Sequence, residues 1–413
     1  MVPKKFISRC LGIILSVAFI VAPQTTAQFR DDFSGGSLSN DPRGINGWTF
    51  FTGDGSARMD FSLSGKGYAS LSVDATKDTM GIWWALIRRR VSGSMDLRLL
   101  ANPKYALRVE ARIRLSHAPK RVNLHLNTQR TTNFHSHLME FEIPDTTGWH
   151  VISMTTHGFD AAPGDTVYGQ LALMDWGLEK YRVDIDYYRV DILNVDSLGP
   201  DQGIQVPYHP PIPGAETFAY HVPVGQDATI DKQYPDMVFN HWSSNGETGR
   251  TTLLTVSGTQ LAILRWDLSA FAGKKVAGSG LLELTTYALQ RSPEYEKDFG
   301  MVRVAEIIGG DSAWEQKDVT YDTFFKGLPF TRVVNSQMII DIEVNEIRGG
   351  KSFATISNPV LQRMTDGKTL GIVIRPLGAV NASFYAMENQ AGRYSAKLHI
   401  NVVPDSSAVG NNR

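Results

Sequence analysis

From Gln28 to about Leu198 apolar residues recur at every second position. Ala69, Leu71 and Val73 alternate with Ser70 and Ser72, and Leu107, Val109, Ala111 and Ile113 alternate with Arg108, Glu110, Arg112 and Arg114. Successive side chains of a strand point to opposite faces, so this period predicts strands with one buried face. Clusters such as Ser116–Lys120 and Ala161–Asp165 punctuate the runs, and no long helical period intervenes. The pattern predicts an antiparallel sandwich. Residues 199–215 carry Pro200, Pro207, Pro210, Pro211 and Pro213, a composition that favours extended backbone and opposes a sheet ladder. They are expected to link two domains. Alternation resumes at about Phe218 and continues to Val403, before a polar tail, residues 404–413. The expected chain is all-β: two antiparallel, jelly-roll-like β-sandwiches, residues 28–198 and 216–403, joined by the proline-rich linker.

Composition adds a location and removes some partners. Lys4, Lys5 and Arg9 precede the apolar run Leu11–Ala22 and the small residues Thr25 and Ala27, as in a secretory signal peptide cleaved after Ala27. The expected location is therefore secreted or periplasmic. No segment reaches the roughly 18–20 apolar residues of a membrane span. Cys10 is the only cysteine and would leave with the signal, so no disulfide or thiolate metal site is expected. No cofactor is required by this reading, although Asp227 could contribute to a structural calcium site, an ion that takes six or more oxygens. The formal charge of −1 argues against nucleic acid, whose phosphates call for a basic excess.

Candidate chemistry concentrates in the first domain. Arg108, Glu110, Arg112 and Arg114 share one face of a strand. Asn123, His125, Asn127 and Gln129 share one face of the next, with Arg130 following. If the two strands pair as a hairpin, they form one continuous polar stripe. Arginine's planar fork suits carboxylate or sulfate, and amides and imidazole suit hydroxyls, so the stripe fits a groove for an acidic polysaccharide. The alternative is a charge ladder in which Glu110 neutralises its arginine neighbours. Next come His135 and His137, with Glu140 nearby. They could hold a metal ion, although the spacing departs from the cupin pattern; one could act as a general base; or both could be polar walls or structural histidines. In the second domain Trp242 lies in a polar loop with Tyr234, Phe239 and His241, either as a sugar-stacking platform or as a plug for the sandwich.

The order of Gly225-Gln-Asp-Ala-Thr-Ile230, Leu264-Arg-Trp-Asp-Leu268, Trp314-Glu-Gln-Lys-Asp-Val-Thr320 and Ala396-Lys-Leu-His-Ile400 resembles the DNRLRE-type domain, which includes the family 96 carbohydrate-binding modules. The resemblance spans nearly all of residues 216–403 and implies a carbohydrate-binding sandwich. Leu264, Trp266 and Leu268 share a strand face and would define its core. The ends of the first domain, Asp31-Asp-Phe-Ser-Gly-Gly36 and Tyr181 to Asp191, loosely resemble jelly-roll carbohydrate-binding and polysaccharide-lyase sandwiches.

A hydrolase needs paired carboxylates across a cleft, and the stripe offers only Glu110 and Glu140. The residues fit β-elimination better. Arg112, Asn127 and Gln129 would hold the substrate carboxylate, His135 or His137 would take the C5 proton, and Tyr168 would protonate the leaving oxygen. The expectation is a polysaccharide lyase acting on a uronate or sulfated polymer. Its alternatives are a non-catalytic protein with two carbohydrate-binding modules and an adhesive surface protein.

Overall fold

The computed structural model describes residues 29–35, 47–52, 57–77, 84–133, 136–174, 176, 179–207, 210–239, 253–291 and 301–404. His135, Trp242 with its loop, the signal segment and the tail from 405 onward lie outside the described residues. Among the described residues no helix is long and apolar enough to cross a membrane.

The first part is a two-layer sandwich. Its strands are β1 (Phe29–Asp31), β2 (Trp48–Thr52), β3 (Arg58–Leu63), β4 (Ala69–Asp74), β5 (Trp84–Arg90), β6 (Tyr105–Leu115), β7 (Lys120–Thr128), β8 (Leu138–Ile143), β9 (His150–Thr156), β10 (Val167–Met174), β11 (Lys180–Asn194) and β12 (Ile204–Val206). The first sheet runs β3-β4-β11-β6-β9, with β1 also on β11; the second runs β12-β8-β7-β10-β5-β2. All pairings in both sheets are antiparallel. Leu107, Val109, Ala111 and Ile113 of β6 join Val122, Leu124 and Leu126 of β7 in one core, every one of them at most 1% exposed. Burying one such aliphatic side chain contributes about 1.5–3 kcal/mol. Trp48 sits at the centre with Phe33, Phe61 and Tyr188 around it, and its indole N–H donates to Asp31 Oδ2 at 2.7 Å.

Tyr188 is fully buried and its hydroxyl has no partner among the described residues. A buried hydroxyl with no hydrogen bond is destabilising. Tyr188→Phe is therefore expected to leave stability unchanged or raise it by about 1 kcal/mol in chemical denaturation; a clear loss would show that the hydroxyl is satisfied. The same hydroxyl would lie 2.6 Å from a Cβ at position 169, so Gly169 in β10 is needed for space.

The second part contains β13 (Tyr220–Pro223), β14 (Gln226–Asp231), β15 (Leu253–Ser257), β16 (Gln260–Arg265), β17 (Lys274–Val276), β18 (Gly280–Arg291), β19 (Met301–Ile307), β20 (Val334–Ile342), β21 (Lys351–Ile356), β22 (Gly371–Leu377), β23 (Val380–Tyr385), β24 (Lys397–Ile400) and β25 (Val402–Pro404), with short helices α1 (Tyr321–Phe325), α2 (Phe330–Val333) and α3 (Asn358–Thr365). β18 joins two layers: its first half pairs with β21 and β24, and from Thr286 onward it pairs with β23, with a register shift between Thr286 and Ala288. Bulges of this kind bend a strand and let it turn a corner. Leu264, Trp266 and Leu268 are in the core, as the alternation predicts. A separate apolar cluster of Ile230, Ile263, Trp314, Phe324 and Phe325 gathers around α1.

Two findings differ from the sequence expectation for the linker. Ile204–Val206 pairs antiparallel with Glu140–Glu142 as the edge strand of the second sheet, because a proline excludes only its own amide from a ladder and these three residues carry none. The neighbouring segments are also pinned: Arg108 donates to the carbonyls of Gly199 and Pro200, both at 2.9 Å, and Thr355 Oγ1 donates to Pro211 O at 3.0 Å. Between the two parts lies a buried ion cluster. Arg363 of α3 donates to both oxygens of Glu306 on β19 at 2.8 Å and also reaches Glu142 of β8. Burial pushes the Glu142 carboxyl above its ordinary value even with Arg363 beside it.

Candidate functional site

The continuous stripe expected from a β6–β7 hairpin does not form. β6 pairs with β11 and β9 in the first sheet, while β7 pairs with β8 and β10 in the second. The connection at Ser116–Pro119 carries the chain from one layer to the other, so that the aliphatic faces of the two strands meet in the core and their polar faces point to opposite sides of the sandwich. Alternation specifies which residues share a face and leaves the partner strand open.

On the first sheet the arginines form the charge ladder, with partners mostly on β11. Arg112 donates to Asp186 at 2.8 Å, and Arg114 forks onto Asp184 at 2.8 and 3.2 Å. Arg108 is 3.5 Å from Asp201, and Glu110 accepts from Tyr187 and Arg189. Arg114 also lies over the rings of Trp149 and Tyr68. These groups satisfy one another, and a ligand would have to displace a partner to use them. Gln129 and Arg130 are similarly engaged. Gln129 donates to Asp165 and accepts from the Thr166 amide, and Arg130 clasps Asp160 and Asp165. The Arg130 guanidinium holds the Asp165 carboxyl well below the usual range. His137 lies in the turn before β8 with its ring 4.9 Å from the core ring of Phe159. Its burial lowers the imidazole pKa and keeps it neutral near pH 7.

The outer face of the second sheet gathers the remaining candidates. Register places Asn123 opposite Glu140 and Ala172, His125 opposite Leu138 and Gln170, and Asn127 opposite Tyr168. Further across, Gln170 meets Arg88, Tyr168 meets Arg90, and Arg88 meets Thr49. Directly opposed side chains in such a sheet have Cβ atoms about 4.5–5.5 Å apart, and diagonal ones remain within reach of long side chains. One face therefore carries three amides, an imidazole, a phenol and two guanidiniums, with the Glu140 carboxylate and the Thr49 hydroxyl beside them.

Its floor is tight and its rim is open. Asn123, Asn127 and Gln170 are 1%, 6% and 6% exposed, whereas His125, Tyr168 and Arg88 are half-buried and Arg90 is exposed. Gln170 donates to Asn127 Oδ1 at 2.6 Å. Asn123 Oδ1 has no hydrogen-bond partner among the described residues, an unmet acceptor on the floor. Arg88 lies 4.8 Å from the centre of the Tyr168 ring and 5.3 Å from that of Phe51, two cation–π contacts that hold its guanidinium in place. At the other end Arg121 donates to Glu140 at 2.9 Å, with both side chains buried. The second part of the chain borders this end: Arg121 and Ile340 line the same cleft.

Sequence reading thus placed Asn123, His125, Asn127 and Tyr168 among the candidates and missed Gln170, Arg88 and Arg121. The signal for Gln170 was present, since Tyr168, Gln170 and Ala172 alternate with Val167, Gly169, Leu171 and Leu173. In the second part, Asp227 is fully buried, accepts from the Met387 amide at 2.9 Å, and is driven well above its usual pKa by burial and by Glu388. Among the described residues no group of three or more His, Cys, Asp or Glu side chains is arranged to hold a metal ion.

No family model matches the chain, and no curated protein matches it. The DNRLRE-type resemblance therefore rests on motif order alone. Solved structures similar to it include a family 4 carbohydrate-binding module (14% identity, 39% of this chain and 97% of that one, TM-score 0.28). A family 61 module in complex with β-1,4-galactotriose shows 11% identity over 36% of this chain and 88% of that one, with a TM-score of 0.23. A xylan-binding family 22 module of Paenibacillus barcinonensis shows 12% identity over 41% of this chain and 100% of that one, with a TM-score of 0.25.

Proposed function

We propose that the protein is an exported carbohydrate-binding protein that engages a polysaccharide on the outer face of its second sheet. The observation that carries this reading is the face itself: Asn123, Asn127, Gln170 and His125 offer donors and acceptors suited to hydroxyls, beside the ring of Tyr168 and the stacked fork of Arg88. The one carboxylate placed beside the amides, Glu140, is taken up by Arg121, which leaves the amides to a ligand.

A polysaccharide panel tests this directly. Native gels containing alginate, glucuronan, ulvan, xylan or β-1,4-galactan are expected to retard the full chain with at least one polymer, and Asn123→Ala or Gln170→Ala should weaken that retardation by about 10-fold, the loss of one or two hydrogen bonds. Retardation that survives both substitutions would reject this face as the site.

The finer reading is catalysis by β-elimination on a uronate polymer. It is favoured by the presence of an imidazole and a phenol on one face: His125 lies opposite Gln170 and diagonal to Tyr168. His125 thereby takes the base role assigned from sequence to His135 or His137, and Tyr168 keeps its role as acid. Arg88 and the amides would hold the substrate carboxylate.

A further inference from the structure

The arginines on the first sheet of the first part are paired with carboxylates; two on one surface of the second part are not. Three tyrosines form a row there, Tyr385 buried in the middle and Tyr287 and Tyr394 half-buried on either side. Tyr287 of β18 and Tyr385 at the end of β23 meet edge to face at 5.4 Å, and Tyr394 lies 4.9 Å beyond Tyr385. Arg348 stacks 4.2 Å from the centre of the Tyr287 ring and donates through Nε to the Tyr385 hydroxyl at 3.4 Å. Arg393 lies 5.3 Å from the centre of the Tyr394 ring. Both arginines are exposed, and among the described residues their partners are tyrosines and not carboxylates. Ile347, next to Arg348, is 73% exposed.

Local backbone supports the same place. Tyr287 falls within the register shift of β18, where a bulge re-aims the side chain. Just before Arg393 and Tyr394, Gln390 and Ala391 both adopt left-handed backbone, with φ of 48° and 56°. Two successive non-glycine residues in that region are strained, and such strain concentrates at ligand sites.

We infer that the Tyr287–Tyr385–Tyr394 row, with Arg348 and Arg393 at its two ends, is a second binding surface that takes the carboxylate or sulfate groups of an anionic polysaccharide. A guanidinium held against a ring loses little further freedom on binding, and Arg348 uses its Nε–H on Tyr385, which leaves its terminal N–H groups for an oxyanion. The ring faces it covers are less available for a neutral sugar, which is why charge on the ligand is required. Two forks separated by three rings suit two anionic groups on one extended chain better than a single small anion. Placing those groups on a sugar polymer rests on the proposed function.

The full chain can be tested by affinity electrophoresis in gels containing alginate, dextran sulfate, neutral xylan or poly-glutamate. The expected result is retardation by alginate or dextran sulfate that weakens as sodium chloride rises and falls at least 10-fold in Arg348→Gln/Arg393→Gln, with an unchanged thermal midpoint and no change in any retardation by xylan. Arg348→Lys/Arg393→Lys should fail to restore it, because lysine keeps the charge and loses the planar fork. Unchanged retardation in the glutamine variant, or full retention in the lysine variant, would overturn the inference. Equal retardation by poly-glutamate would overturn the sugar ligand, and displacement by inorganic sulfate beyond the effect of equal ionic strength of chloride would overturn the polymer. Asn123→Ala separates the two surfaces: if it alone abolishes anionic-polymer binding, the tyrosine row is not the site, and if only the arginine variant does, the second-sheet face fails instead.

Discussion

Arg363→Ala should destabilise the protein by about 3–5 kcal/mol, the cost of removing one partner from a buried ion pair. Arg363 is the cation shared by Glu306 and Glu142, whose side chains are 0% and 1% exposed. Without it two carboxylates remain close together and out of water. The deficit should depend on pH with a definite sign. Burial already raises the folded-state pKa of Glu142, and the variant loses the guanidinium that lowers it, so ionising this carboxyl opposes folding. The deficit should then be smallest near the ordinary glutamate pKa of about 4.3 and grow as pH rises through the raised Glu142 value. Denaturant unfolding of wild type and variant from pH 5 to pH 8 measures it, and Glu142→Gln in the variant background should recover part of the loss. A deficit under about 1 kcal/mol at every pH would mean that the contact is a screened surface pair. Because this arginine comes from the second part and Glu142 from the first, the same experiment reports how tightly the two are coupled.

Incubation with a uronate polymer should raise near-ultraviolet absorbance if the second-sheet face is catalytic. In that reaction a base takes the proton from C5, the C5–H electrons form the C4=C5 bond, the C4–O bond breaks, and the leaving oxygen receives a proton from an acid. The product is an unsaturated uronate at a new non-reducing end. With His125 as base and Tyr168 as acid, His125→Ala should lower the rate by about 10²–10⁴ and Tyr168→Phe by a comparable factor. His137→Ala provides the contrast, since that ring packs against Phe159. A rate that falls with His137→Ala and survives His125→Ala would move the base to the β7–β8 turn. Polymer binding without absorbance change or new reducing ends would leave the two-module binding protein as the function.

Much of the architecture was decided by the sequence alone. Period-two alternation at Leu107–Ile113 and Val122–Leu126 specified strands and their buried faces, since only one side of each could enter a core. The Leu264-Trp-Leu268 pattern did the same for the second part. The residue content of the site was also partly present: Asn123, His125 and Asn127 can share a face only because they stand at alternate positions.

Tertiary structure decided what those faces meet. Alternation is the same for a strand that turns back within its sheet and one that crosses to the other layer, so the sequence could not separate the arginines of β6 from the amides of β7. Ion pairing followed from that choice. Arg112 and Arg114 find Asp186 and Asp184 only because β11, some 70 residues later in the chain, lies beside β6. Gln170 and Arg88 joined the site for the same reason, as register across β10 and β5 brings them to His125 and Tyr168. Pairing partners are set by the long-range closure of two sheets around one core, a property of the whole chain that no local pattern encodes.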